Sequence, residues 1–216
     1  LQTRLNLKIA PVHIECTDIS HIQGVDPVAS VVVCENGKPK KSEYRLFHIK
    51  SAMGGDDPAS IAEVVRRRFT RLLEEGRPLP DLFVVDGGIT QLHAAMRELD
   101  LLDVNVAIMG LAESEEKLVM PDGSEVKLPF SSPGMRSLIK LRNEAHRFCN
   151  TFQNKTHTNR TLRSSLLNLP GVGPIILKKL ILEFGSVDNI GKFTPTELVE
   201  RCHIPLKTAE LIINSL

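Results

Sequence analysis

The sequence predicts a mixed α/β sheet with flanking helices, followed by a small all-α module. Three observations carry this expectation. Strand-like runs rich in β-branched residues meet at an Asn36-Gly37 turn, the signature of an antiparallel hairpin. Downstream, short apolar segments alternate with helical patterns, as parallel-type strands do. Beyond residue 153 the strand-like runs cease and short helices punctuated by Gly and Pro replace them.

Taken in order, residues 13–18 read as a first strand and residues 28–35 as a second, nearly continuous β-branched run. Asn36 and Gly37 both tolerate positive φ, and residues 41–50 alternate in polarity as a third strand, completing a meander. Gly54-Gly55 then breaks the chain. Asp57-Pro58 combines a capping carboxylate with a proline at the first helical position, and the helix runs through Arg66-Arg67-Arg68 to about residue 75. Residues 82–86 form a short buried strand, 90–99 a helix and 104–110 another buried strand. Segments 118–120 and 125–128 flank Asp122-Gly123 as a small hairpin. Ser132-Pro133 opens a long helix with Leu138, Leu141, Ala145, Phe148 and Phe152 at three- and four-residue steps. The wholly polar run 154–161 reads as a linker, so the larger domain is expected over 1–156 and the smaller over 157–216. In the latter, short helices surround Pro170-Gly171-Val172-Gly173-Pro174, and a similar unit follows at 198–213.

Composition excludes several classes. At 216 residues, with 42% hydrophobic and 25% charged residues, the chain is long enough for one or two globular domains. The apolar runs are too short to span a membrane. Arg4 and Lys8 interrupt the opening residues, so no signal peptide is read, and Leu1 in place of Met predicts a fragment of something longer. Cys16, Cys34, Cys149 and Cys202 form no CxxC pair, which argues against zinc and redox motifs and for small buried hydrophobes in a reducing cytoplasm. Residues 1–153 carry 19 Lys/Arg against 21 Asp/Glu, whereas 154–216 carry 8 against 5. The basic tail points weakly to phosphate contact.

Two acids end apolar strands, Asp18 in Cys16-Thr17-Asp18 and Asp86 in Val84-Val85-Asp86. A carboxylate there must be paired, protonated or metal-bound. Side by side on central strands, the pair would supply oxygen ligands to Mg²⁺ or Mn²⁺, the arrangement that supports phosphodiester hydrolysis. Singly, each has a plainer reading, Asp18 as a turn cap and Asp86 as an acceptor for the glycine turn. His146, by spacing alone, is a partly buried structural residue beside the apolar stripe, and Asp57 is a helix cap. Arg66 to Arg68, spread around a helix, read as solvated; His21 and His93 carry no assigned role. Gly171 and Gly173 would let backbone amides approach a DNA phosphate at a helix N-terminus, with Lys178 and Lys179 adding attraction. In the second unit Cys202-His203 replaces Pro-Gly, which predicts packing with weaker DNA binding.

These residues resemble a known family. Ile14 through Gly24, Val28-Ala29-Ser30, Asn36 through Arg45, Gly55-Asp56-Asp57, Asp86-Gly87-Gly88, Glu144 through Phe148 and Pro170 through Pro174 are similar, in order, to the C-terminal half of the UvrC family. The resemblance implies an RNase H-like endonuclease domain followed by a tandem helix-hairpin-helix domain. The implied activity is the incision 5′ to a lesion in nucleotide excision repair. By the same resemblance Asp18, Asp86 and His146 match the catalytic and metal-binding constellation, and Asp57 matches a further acid of that incision. It implies duplex DNA with a lesion, bubble or junction as substrate. UvrB is the implied partner, through a segment without counterpart here. The family's GIY-YIG nuclease domain also has none, so the full dual incision is not expected. Two departures stand out: Gly87-Gly88-Ile89-Thr90-Gln91 replaces Gly-Gly-Lys-Gly-Gln, and Asn143 replaces Asp. They keep open a catalytically weak DNA-binding or assembly module. A ribonuclease of RNase H type is the other alternative.

Overall fold

The computed structural model describes residues 1–20, 27–50, 57–112 and 117–216, with the backbone alone at 153–161, 163 and 188. His21 and the Gly54-Gly55 break therefore lie outside the described residues. The chain divides into two compact units, Leu1–Gln153 and Asn154–Leu216.

In the first unit, β1 (His13–Ser20) and β2 (Val28–Glu35) pair antiparallel along their whole length, from His13 opposite Glu35 to Ser20 opposite Val28. Asn36 and Gly37 turn the chain at φ 52 and 71, as the dipeptide predicts. The expected third strand is broken, however. β3 (Lys38–Pro39) is followed by a 3-10 turn at Lys41–Glu43 and then β4 (Arg45–His48), with both strands pairing β2. Pro39 has no N–H to extend the ladder, so the return strand stops there and resumes after the turn.

Helix α1 (Asp57–Glu74) leads to β5 (Leu82–Asp86), α2 (Ile89–Leu101) and β6 (Ala107–Ala112). Strands β5 and β6 are parallel to β1, and β7 (Lys117–Val119) with β8 (Glu125–Val126) continues the sheet, giving the order β3-β2-β1-β5-β6-β7-β8. Helix α3 (Pro133–Leu167) closes the unit. Helices cover both faces. On one, Ile14, Cys16, Leu82 and Val84 pack against Met135, Leu138, Leu141 and Ala145 of α3. On the other, Phe83 and Val85 pack against Ile61, Val65 and Phe69 of α1 and Leu92 and Ala95 of α2. Burial on two faces explains why the central strands read as continuous apolar runs.

Three expectations are corrected. The polar run 154–161 is helix, part of the 35-residue α3; it contains no Gly or Pro, so a helix already nucleated in the core propagates through it. Arg68 is buried at 2% exposure, its Nε and Nη2 donating to the fully buried Glu15 at 2.8 and 2.5 Å, whereas Arg66 and Arg67 stay near the surface. Removing one partner of such a pair strands a buried charge, at a cost of about 3–5 kcal/mol. The α3 stripe turns inward through Cys149, while Phe148 lies at the rim, edge-on to Tyr44 with ring centres 5.2 Å apart.

The second unit holds α4 (Pro174–Phe184), α5 (Val187–Ile190), α6 (Pro195–Cys202) and α7 (Leu206–Ser215) around a core of its own.

Candidate active site

The parallel register sets Cys16 beside Val84 and Thr17 beside Val85. One step further, just past the end of the β1–β5 ladder, stand Asp18 and Asp86. Side chains alternate across a strand, and Cys16 and Val84 face α3, so both acids face α3 as well. They line a cleft of about 260 Å³ with Asp57, Gly87, Gly88 and Gln91, at the carboxyl ends of the strands where open α/β sheets place their ligand sites. Asp57 reaches this cleft from the first residue of α1. A larger cavity of about 410 Å³ lies at the opposite strand ends; its carboxylate, Asp81, already accepts the Val12 and His13 amides at 2.8 and 2.7 Å.

His146 Nδ1 stands 3.2 Å from Asp18 Oδ2. Its side chain is 61% exposed, more open than an edge position on the stripe predicts, while that of Asp18 is 8% exposed. Burial pushes the Asp18 carboxyl above its ordinary range; His146, the Ile19 amide and Asp86 hold it back. Asp18 Oδ2 nonetheless has no aligned hydrogen-bond donor, because the histidine contact meets the distance of an ion pair and not the geometry of a hydrogen bond. The nearby thiols are held protonated, Cys16 by burial and the two acids, and Cys149, pushed up to about 12, by burial and Asp18.

Local devices set the turn after Asp86. Gly87 has φ 152, and the Gln91 side chain folds back so that its Oε1 accepts the Gly88 amide at 3.2 Å. Gly110 of β6 lies beneath: a Cβ there would fall 2.7 Å from the Gly87 carbonyl oxygen and 3.3 Å from Val119 Cβ. Gly110 escaped the sequence reading because a glycine inside a strand signals close backbone approach without saying to what.

A hard cation fits this donor set. Two facing carboxylates, one with a buried oxygen lacking a donor, suit Mg²⁺ or Mn²⁺. Among the described residues no group of three or more His, Cys, Asp or Glu side chains forms a ready-made cage, so an ion would complete its shell with water or substrate oxygens.

In the second unit one pattern occurs twice, 32 positions apart (171 to 203). Gly171 and His203 occupy left-handed positions at φ 84 and 51; buried Val172 and Ile204 follow; Gly173 and Pro205 cap α4 and α7. Leu166 matches Leu198 and Leu180 matches Ile212, all fully buried. The two glycines differ. A Cβ on Gly171 would meet Thr208 Oγ1 at 3.2 Å, whereas one on Gly173 would meet nothing within 4 Å. Lys178 and Lys179 are exposed on α4.

Residues 2–149 match the family model described as the UvrC RNAse H endonuclease domain. The chain belongs to the UvrC family. Among curated relatives, UvrABC system protein C of Treponema denticola is 42% identical over 217 residues, covering 100% of this chain and 33% of that protein. Its counterpart in Gemmatimonas aurantiaca is 48% identical over 194 residues, covering 88% and 31%. The chain thus spans about a third of the length of these relatives. Solved structures are more distant. Ciona intestinalis endonuclease V, in complex with a 24mer DNA containing an inosine followed by a ribo-adenosine, is 16% identical over 64% of this chain and 57% of that one, with a TM-score of 0.37. Human ENDOV is 21% identical over 61% and 54%, with a TM-score of 0.34. Neither likeness carries an argument about the site. UvrC membership agrees with the RNase H-like arrangement of the sheet, three antiparallel strands joined to two parallel ones. No helix among the described residues is long and apolar enough to cross a membrane.

Proposed function

We propose that this UvrC chain is a Mg²⁺- or Mn²⁺-dependent endodeoxyribonuclease that nicks DNA 5′ to a lesion in nucleotide excision repair. The observation that carries the reading is the juxtaposition of Asp18, Asp86 and Asp57 in one strand-end cleft with His146 at the Asp18 carboxylate. Asp18 and Asp86 would hold the cation, which would neutralise charge gathering on the scissile phosphate. His146, exposed and with Nδ1 at the Asp18 carboxylate, is placed to pass a proton between solvent and the reacting oxygens. Asp57 adds negative charge at the cleft mouth.

The second unit is read as a tandem helix-hairpin-helix module. On this reading the amides at the starts of α4 and α7, behind Gly173 and Pro205, would receive a backbone phosphate, and Lys178 and Lys179 would add sequence-independent attraction. The relatives are named as the C component of a UvrABC system, and we extend that partnership, UvrB included, to this chain.

The deciding experiment is cleavage of an end-labelled lesion-bearing or bubble duplex, with an RNA–DNA hybrid alongside, in Mg²⁺ or Mn²⁺. Nicking of the duplex that is lost in Asp86→Asn without loss of duplex binding is expected. Preference for the hybrid would make the chain a ribonuclease. A rival reading, a DNA-binding or assembly module without chemistry, is favoured by the lack of a ready three-ligand cage among the described residues. Calorimetric titration with Mn²⁺ that gives no heat of binding in the wild-type chain, but none in Asp86→Asn either, would select it.

A further inference from the structure

Ser30 is a fully buried hydroxyl in β2, between Ala29 and the Val31-Val32-Val33 run. A buried hydroxyl is costly unless it is hydrogen-bonded. Its Oγ donates to the main-chain carbonyl of Ala145 at 2.9 Å, across 115 positions of sequence. Two adjacencies give this bond meaning. Ser30 is the antiparallel partner of Asp18, and Ala145 is the residue before His146. A single side chain therefore ties the strand position opposite Asp18 to the helical turn that carries His146.

We propose that Ser30 is a positioning residue for the incision, setting the place of α3 over β2 so that His146 Nδ1 meets Asp18. With its side chain 61% exposed, His146 has little packing of its own to fix it, so its location is inherited from the α3 backbone. The next turn is tied down separately: Cys149 Sγ donates to the Val28 carbonyl at 3.1 Å, and Ser20 Oγ bonds Asn150 Oδ1 at 2.8 Å. Those bonds lie on the far side of His146 from Ala145. Only Ser30 among these three holds the turn before the histidine. Loss of its bond removes the tie from β2 to the Ala145 carbonyl, and a misplacement of about 1 Å at a reacting group costs roughly 10²-fold in rate.

This inference rests on the nuclease reading, and the experiment separates the two. Single-turnover nicking of an end-labelled bubble duplex with Mn²⁺ is measured for the wild-type chain, Ser30→Ala, Ser30→Thr, His146→Ala, the Ser30→Ala/His146→Ala double variant and Asp86→Asn, with duplex affinity and melting temperature for each. Ser30→Ala is expected to lose roughly tenfold or more in rate at unchanged duplex affinity. Ser30→Thr, which keeps the hydroxyl, recovers most of it. In the His146→Ala background Ser30→Ala costs nothing further, because both act through one group. Multiplying losses, or a normal rate in Ser30→Ala, overturn the proposal. A readout independent of turnover is the imidazole proton signal of His146 in the NMR spectrum, expected to move in Ser30→Ala and to stay in Ser30→Thr; a signal unmoved in both also overturns it. Undiminished nicking by Asp86→Asn would instead sink the nuclease reading, whereas loss in Asp86→Asn with a normal Ser30→Ala sinks this inference alone.

Discussion

His146 Nδ1 and Asp18 Oδ2 lie 3.2 Å apart although one side chain is 61% and the other 8% exposed. The contact joins a solvent-facing group able to exchange protons to a buried carboxylate that needs a positive partner. General acid–base work is worth roughly 10²–10⁴-fold, so His146→Ala should lose that much in single-turnover nicking. Its melting temperature should hardly change, since little buried surface disappears. A variant that melts early yet nicks normally per folded molecule would assign the residue to packing.

Asp18→Asn should stabilise the protein while abolishing incision. Burial raises the folded carboxyl above the ordinary value of 3.8. Between 3.8 and that raised value the folded state holds the extra proton, so the destabilising contribution of Asp18 is absent in acid, grows as pH rises through this window, and persists at neutral pH. In metal-free buffer the variant should therefore melt above wild type at neutral pH, with the gap closing in acid below the ordinary carboxylate range. A gap independent of pH would refute burial of the charge as its cause.

Gly110→Ala tests the support beneath the Asp86–Gly87 turn. The added methyl would fall 2.7 Å from the Gly87 oxygen, a backbone atom, so the Asp86–Gly87 turn must shift. Overpacking of this kind costs about 1–3 kcal/mol in stability. Displacement of Asp86 should cost roughly 10²-fold in nicking. Duplex affinity, assigned to the second unit, should be retained; unchanged nicking would mean that the turn yields elsewhere.

The two hairpin glycines should separate folding from binding. Gly171→Ala strains a left-handed position and crowds Thr208, costing about 1–2 kcal/mol in the stability of the second unit. Gly173→Ala has ordinary backbone angles and open space, so only the weaker N-cap is lost and stability should fall by about 0.5–1 kcal/mol. If the hairpin holds duplex backbone as proposed, the added methyl would stand in the path of the phosphate and weaken duplex binding several-fold, as loss of about one hydrogen bond does. Duplex titrations at several salt concentrations check this, and equal affinity for Gly173→Ala and wild type would make the hairpin a structural turn.

Much of the site was legible in the sequence because its signals are local. Alternation and β-branching marked β1, β2 and β5 to within a few residues, Asn36-Gly37 marked its turn, and an acid closing an apolar strand is conspicuous in the sequence. Asp18 and Asp86 meet because two such strands lie parallel in register, which the alternating strand–helix pattern implies. What tertiary structure decided involves partners remote in sequence or choices that local pattern leaves open. The hydroxyl of Ser30 finds Ala145 across 115 positions, and Arg68 finds Glu15 across 53. Gly110 matters because the Gly87 carbonyl lies above it, and Gly171 differs from Gly173 through its left-handed backbone and its closeness to Thr208. The polar run after residue 153 carries no helix-breaking residue, and whether it is linker or helix depends on the helix preceding it. Periodicity reports which face of an element is apolar; which atom from another element fills each position on that face is settled only by close packing.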